Sequence, residues 1–80
     1  MTKARLDRVQ TVLFSNDRLI VTFSNGREIS APLAWLPLLV AASVEDRAQW
    51  EISAAGHGIH WPRIDEDLSI AGLLRGERAA

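Results

Sequence analysis

The stretch "RLIVTFSNGREISA", Arg18 to Ala31, decides the fold, because two registers fit it and only one builds a core. Its flanks are rich in β-branched and aromatic residues, and Asn25-Gly26 between them is a hairpin signal. With a two-residue loop at Asn25-Gly26, Phe23 would pair with Glu28 and Val21 with Ser30. With a three-residue loop, Ser24-Asn25-Gly26, Phe23 pairs with Arg27, Val21 with Ile29 and Leu19 with Ala31. The second register gathers Leu19, Val21, Phe23, Ile29 and Ala31 on one side of the sheet. A slip of one residue turns a whole strand over, so the apolar pattern selects the three-residue loop, with Gly26 left-handed in a bulge.

Upstream, "RVQTVLF", Arg8 to Phe14, is another β-rich run, and "SND", Ser15 to Asp17, is a turn. Pairing Phe14 with Leu19 and Val12 with Val21 brings both onto the apolar face and completes a three-stranded meander. The opposite face then carries Val9, Thr11, Leu13, Ile20, Thr22, Glu28 and Ser30. Leu13 and Ile20 form an apolar spot there that the meander itself does not cover.

Downstream comes "PLAWLPLLVAAS". Pro32 ends the third strand, and Pro37 suits the first turn of a helix, where a missing N–H costs nothing. A helix is expected over about Ala34 to Ala42. It is apolar nearly all round, at Trp35, Leu36, Leu38, Leu39 and Val40, as a helix set between a core and a partner would be. Ser43 caps a second helix, Val44 to Gln49, whose first turn holds Glu45 and Asp46. "WEISA" then alternates, with Trp50, Ile52 and Ala54 inward. Ala55-Gly56 turns the chain, and "HGIHW" is a short strand with Ile59 and Trp61 on one side. Pro62 closes that strand. The acids 65–67 lead from it into a last helix, Ile70 to Arg75, capped by Ser69 and ended by Gly76. The expected class is α+β: an antiparallel three-stranded meander plus a C-terminal β-hairpin, with two or three short helices packed on one face.

Eighty residues make one domain. Its ordered core is expected at about residues 8–76, between a flexible basic arm carrying Lys3, Arg5 and Arg8 and a flexible C-terminal tail. Apolar residues at 48% and charged ones at 24% give the balance of a soluble globular protein. A net charge of -1 lacks the electrostatic footprint of a nucleic-acid binder. The absence of cysteine excludes disulfides, thiolate metal sites and cysteine nucleophiles. The N-terminus has no apolar signal-peptide region, and the longest apolar run, of about 12 residues, is too short to span a bilayer. A cytoplasmic location with no membrane partner is expected.

Reactive chemistry would have to come from "GHGIHWPRIDEDLS", Gly56 to Ser69. His57 and His60 are three apart, which would unite them on a helix. Gly56, Gly58 and Pro62 deny them one, and on a strand they point to opposite faces. Asp65, Glu66 and Asp67 match no zinc or calcium loop. Neither a nucleophile elbow nor a phosphate-binding glycine pattern is present. No enzymatic activity, metal or cofactor is therefore expected. The competing reading is a small ligand- or metal-binding or catalytic domain built on His57, His60 and the acids Asp65 to Asp67. It requires those groups to converge.

Recognition of a protein is the better-supported expectation. The three tryptophans each bury a large area: either all three frame one core, or Trp35 or Trp61 is partly exposed and anchors a partner. The acids would steer a basic partner. The candidate partner-binding set is Trp35, Leu36, Leu39, His60, Trp61, Arg63, Asp65, Glu66 and Asp67.

"LIVTFSNGREISAPLAWLPLL", "RAQW" and "GHGIHWPRIDEDLSIAGLL" together resemble a bacterial family, domain of unknown function 2442. The resemblance runs from about Val9 to Gly76. Its most specific part is the G-x-G-I-H-W-P pattern, followed by D-E-D and an S-x-x-G-L-L ending. It implies a small α+β fold, a meander with helices packed on one side, and no established enzymatic activity. It also implies an antitoxin-like protein that pairs with another small, toxin-like protein; pairing with itself is the variant that the apolar helix and the Leu13/Ile20 spot suggest. Longer relatives add a helix-turn-helix DNA-binding domain. The chain stops soon after Gly76, so DNA binding is not expected of it, and the resemblance carries no catalytic residues.

Overall fold

The computed structural model describes residues 8–76. The basic arm expected at Lys3 and Arg5, and the tail expected after Gly76, lie outside the described residues.

The meander forms in the register that the apolar pattern selects. Strands β1 (Val9–Phe14), β2 (Arg18–Phe23) and β3 (Glu28–Pro32) are antiparallel in the order β1-β2-β3. Leu19 faces Ala31 and Val21 faces Ile29; Val12 faces Val21 and Phe14 faces Leu19. The Phe23 amide donates to the Arg27 carbonyl at 2.8 Å across the three-residue loop, and Gly26 has φ +91. A side chain at that φ would be strained, which is why glycine closes the loop. Asn25 Oδ1 accepts from the Arg27 amide at 3.0 Å and fixes the turn from inside.

One strand face departs from simple alternation. Val9 was expected to face outward with Thr11, yet it is buried at 3% exposure and pairs with Phe23. The register shifts between Val9 and Thr11, so the extra residue, Gln10, turns the start of β1 over.

The expected single helix over Ala34 to Ala42 is broken in two. Leu33–Trp35 make one tight turn, and α1 covers only Pro37–Ala41. The break is at Leu36, whose φ of -128 and ψ of 77 lie outside the helical region. Pro37 causes it, because a proline ring clashes with a helical conformation of the residue before it. The two pieces still put Leu33, Leu36 and Leu39 into the core, while Leu38 and Val40 remain exposed. Helix α2 (Val44–Arg47) begins as expected, with Ser43 Oγ accepting from the Asp46 amide at 3.1 Å.

The second half holds a sheet of three strands, not a hairpin. Strands β4 (Glu51–Ser53), β5 (Gly58–Trp61) and β6 (Glu66–Ser69) are antiparallel, with β5 in the middle. The acids expected in a connecting loop therefore lie partly on a strand: Glu66 pairs with Trp61 and Asp67 with His60. Alternation explains it, since Glu66 and Leu68 fall on one face and Asp67 and Ser69 on the other. Ile52 and Ala54, expected inward, are exposed. Ile52 pairs with the fully buried Ile59 but sits on an outer strand beyond the cover of the core. Ala54 has already left the strand, with φ 52. Helix α3 (Ile70–Leu74) follows, with Ser69 Oγ accepting from the Gly72 amide at 3.2 Å.

These parts enclose one core. The meander gives Val9, Val12, Leu19, Val21, Phe23 and Ala31; the turn and α1 region give Leu33, Leu36 and Leu39. Ile59 and Trp61 of β5 and Ile70 and Leu73 of α3 close the other side.

Candidate functional site

Arg47 organises the most distinctive corner of the molecule. It ends α2, and its side chain reaches back to α1. Its Nε donates to the Leu39 carbonyl at 2.8 Å and its Nη2 to the Val40 carbonyl at 3.1 Å. Those carbonyls have few partners at the end of so short a helix, and the cation also suits the negative helix terminus. The guanidinium carbon lies 5.7 Å from the centroid of the Phe14 ring, close enough for a cation–π contact. The Arg47 main-chain carbonyl accepts the indole N–H of Trp61 at 3.0 Å. Phe14 completes the corner by meeting Trp61 edge-on, with ring centroids 6.4 Å apart.

A groove of about 490 Å³ opens beside this corner. One wall is the end of β1 and its turn, Val12 to Asn16. The other is Val44, Arg47, Ala48 and Trp50. Leu13 at 54% and Val44 at 76% exposure present apolar surface at it. Among the described residues, no acidic side chain lines it. Of its residues, only Leu13 stood out in the sequence, as part of the apolar spot with Ile20. Arg47 gave no signal because its partners are main-chain carbonyls, and Val44 read only as the start of a capped helix.

The expected partner-binding set does not form one surface. Leu36, Leu39 and Trp61 are enclosed completely. They hold the core and offer nothing to a partner; the single N–H of the Trp61 indole is already spent on Arg47. Trp35 is half-buried. Arg63 is exposed beside Asp46, Nε to Oδ1 3.5 Å, a contact worth little in water. Asp65 is exposed in the β5–β6 turn with φ 55, a conformation aspartate tolerates better than most residues. His60 and Asp67 do meet: Nδ1 and Oδ1 are 2.9 Å apart, and Glu51 faces His60 from the other side. They lie on the face of the second sheet that points away from Ile59 and Trp61.

Glu66 is different, because it shares the inner face with Trp61 and is only 7% exposed. Burial raises its pKa from the ordinary glutamate value, and the neighbouring charge of Asp67 adds to the effect.

The convergence needed for a metal or catalytic cluster on the histidines and acids is not found among the described residues: no three His, Cys, Asp or Glu side chains gather as an ion would require. His57 and Asp67 do border a second groove, with Ser53, Gly58 and Ser69. It lies beside a strained turn, where Ala54, Ala55 and Gly56 have φ 52, 56 and 96. Gly56 is required twice over, by its φ and because a Cβ there would lie 2.5 Å from the Arg8 side chain. No helix among the described residues is long and apolar enough to cross a membrane.

Two solved structures share this architecture. A protein of unknown function from Rhodospirillum rubrum is 29% identical, with a TM-score of 0.79 over 95% of this chain and 94% of that one. An uncharacterized protein from Chromobacterium violaceum is 27% identical, with a TM-score of 0.76 over 91% of this chain and 69% of that one. No match is found among curated proteins. The model of the family described as protein of unknown function (DUF2442) matches residues 9–79, and the chain belongs to that family.

Proposed function

We propose that the domain is a non-enzymatic protein-interaction module that docks its partner in the groove beside β1. One observation carries this reading: exposed Leu13 and Val44 line the same groove as a half-buried cation, Arg47, and no acid among the described residues lines it. An apolar rim around a single partly desolvated arginine is the composition of a binding hot spot, where arginine and aromatic residues are enriched. Trp50 supplies the aromatic wall. In the full form of this proposal the protein works in the bacterial cytoplasm. Its partner is a small toxin-like protein, as the family resemblance implies.

The test is recovery of the tagged full-length chain from cells of the source organism, beside a Leu13→Glu/Val44→Glu double variant. Both positions are exposed, so the variant is expected to fold within about 0.5 kcal/mol per site. A stoichiometric partner held at physiological salt by the parent and lost by the variant supports the proposal. Recovery of the parent without any stoichiometric partner overturns it. The toxin-like form further requires that the recovered partner arrest growth when expressed alone.

A further inference from the structure

We infer that β1 accepts an added strand: an extended segment of a partner protein whose backbone pairs with Val12 and Phe14 and whose carboxylate side chain meets Arg47. The inference rests on the reading of the groove as a docking site, and adds the mode of binding and the chemistry of the partner.

Among the described residues, four strands are outermost in their sheets: β1, β3, β4 and β6. An outer strand offers unpaired main-chain groups, and proteins block such edges with charges, prolines, bulges or short length. Strand β3 carries Glu28 and ends in Pro32. Strand β4 has three residues and begins with Glu51. Strand β6 begins Glu66-Asp67. Strand β1 reads VQTVLF, with neither a charge nor a proline. Its bulge lies at the far end, between Val9 and Thr11, which leaves Thr11 to Phe14 regular.

The register shows which groups of β1 are left unpaired among the described residues. The Ser15 amide donates to the Arg18 carbonyl at 3.0 Å, so that pair is hydrogen-bonded. Antiparallel pairs alternate, so Leu13 and Thr11 turn their main-chain groups toward β2. Val12 and Phe14 turn theirs outward, at the wall of the groove. In an added strand, residues opposite Val12 and Phe14 project their side chains on the same face as these two. That is the face on which Arg47 lies against Phe14.

The charge of the partner follows from the donors of Arg47. A guanidinium has five N–H groups. Nε and one N–H of Nη2 are used on Leu39 and Val40, and the other three meet no acceptor among the described residues. With no acid among the described residues of the lining, a carboxylate supplies what is missing. A second copy of this chain fits less well. Its β1 brings no acid of its own, and the two residues before it, Asp7 and Arg8, carry opposite charges and so add no net negative charge for Arg47.

The experiment titrates the isotopically labelled full chain with the peptide acetyl-Thr-Val-Thr-Glu-Thr-Val-Thr-amide, whose two valines share a face with the glutamate. The amides of Val12 and Phe14 and the indole N–H of Trp50 are expected to shift. Exchange of the two amides with solvent should slow at least about tenfold at saturation. A peptide with glutamine for glutamate is expected to bind about tenfold or more weakly, the loss of one charge-assisted contact. A peptide N-methylated along its pairing edge should show no binding. Equal binding of the N-methylated peptide, equal binding of the glutamine peptide, or no binding at millimolar concentration each overturns the inference. So does a shift of Val12 and Phe14 with protein concentration alone, which would assign the edge to a second copy. If a cellular partner depends on Leu13 and Val44 while the peptide fails, strand addition is wrong and the docking module stands. If both fail, both readings fall.

Discussion

The buried indole of Trp61 donates to the main-chain carbonyl of Arg47 at 3.0 Å, and the Arg47 side chain in turn holds the last carbonyls of α1. One residue thus ties β5, α2 and α1 together, and Phe14 of β1 packs against both ends of the tie. The groove beside β1 opens against this corner, with Phe14 and Arg47 in its lining.

Trp61→Phe separates the hydrogen bond from the packing. It keeps most of the apolar bulk and leaves the Arg47 carbonyl without its donor. A loss of about 1–3 kcal/mol is expected by urea unfolding. Trp61→Ala is expected to cost about 3–5 kcal/mol, comparable to the whole stability of so small a domain.

Arg47→Met retains the apolar stem and removes both bonds to α1. A destabilisation of about 1–3 kcal/mol is expected, since the lost bonds are charge-assisted but half-exposed. Local opening should be largest where the cap was. The Ala42 amide, which donates to the Leu39 carbonyl at 3.2 Å, should exchange faster with solvent relative to amides of β2. Uniform acceleration across both regions would show that the cap is no separate local term.

Ala55→Gly should stabilise the protein, against the usual trend. Ala55 has φ 56, a left-handed conformation that costs a non-glycine residue roughly 1–2 kcal/mol. Glycine relieves that strain and gives back part of it as unfolded-state entropy, for a net gain of about 0.5–1 kcal/mol. The same exchange at Ala41, in α1, is expected to lose about 1 kcal/mol. Thermal unfolding of the pair should move in opposite directions.

Glu66→Gln reports on the buried carboxyl. An unfolded glutamate ionises near 4.5, and burial moves the folded value upward. Between the two values the native chain holds more protons than the unfolded one, so this group's contribution to stability falls as pH rises through that window and stays lower above it. Glutamine has no charge to bury. The variant is therefore expected to gain on the parent as pH rises from 4 toward 7, by about the size of the shift converted to free energy. A stability difference independent of pH would contradict this account of Glu66.

Much of the fold was legible in the sequence, and the reasons are physical. The registers of both hairpins in the meander followed from which pairing collects Leu19, Val21, Ile29 and Ala31 on one face. Ser43 and Ser69 announced their caps by local spacing. What failed depended on context. A bulge at Gln10 has no side-chain signature, so simple alternation puts Val9 on the wrong face. Glu66 read as loop because acids are seldom buried, and only pairing with Trp61 makes a strand of it. Leu36 and Leu39 looked like a partner surface because the sequence does not show which side of an all-apolar helix the core takes. The groove was nearly invisible, since Arg47 acts through main-chain carbonyls and leaves no motif.

The central claim is that the groove beside β1 is where a partner sits. Its most direct test is a photo-crosslinking amino acid placed at Val44 in cells of the source organism, with Glu28 at the opposite edge of the meander as the control position. The account predicts one discrete cross-linked protein from Val44 and none from Glu28. No product from Val44, or the same products from both positions, would contradict it.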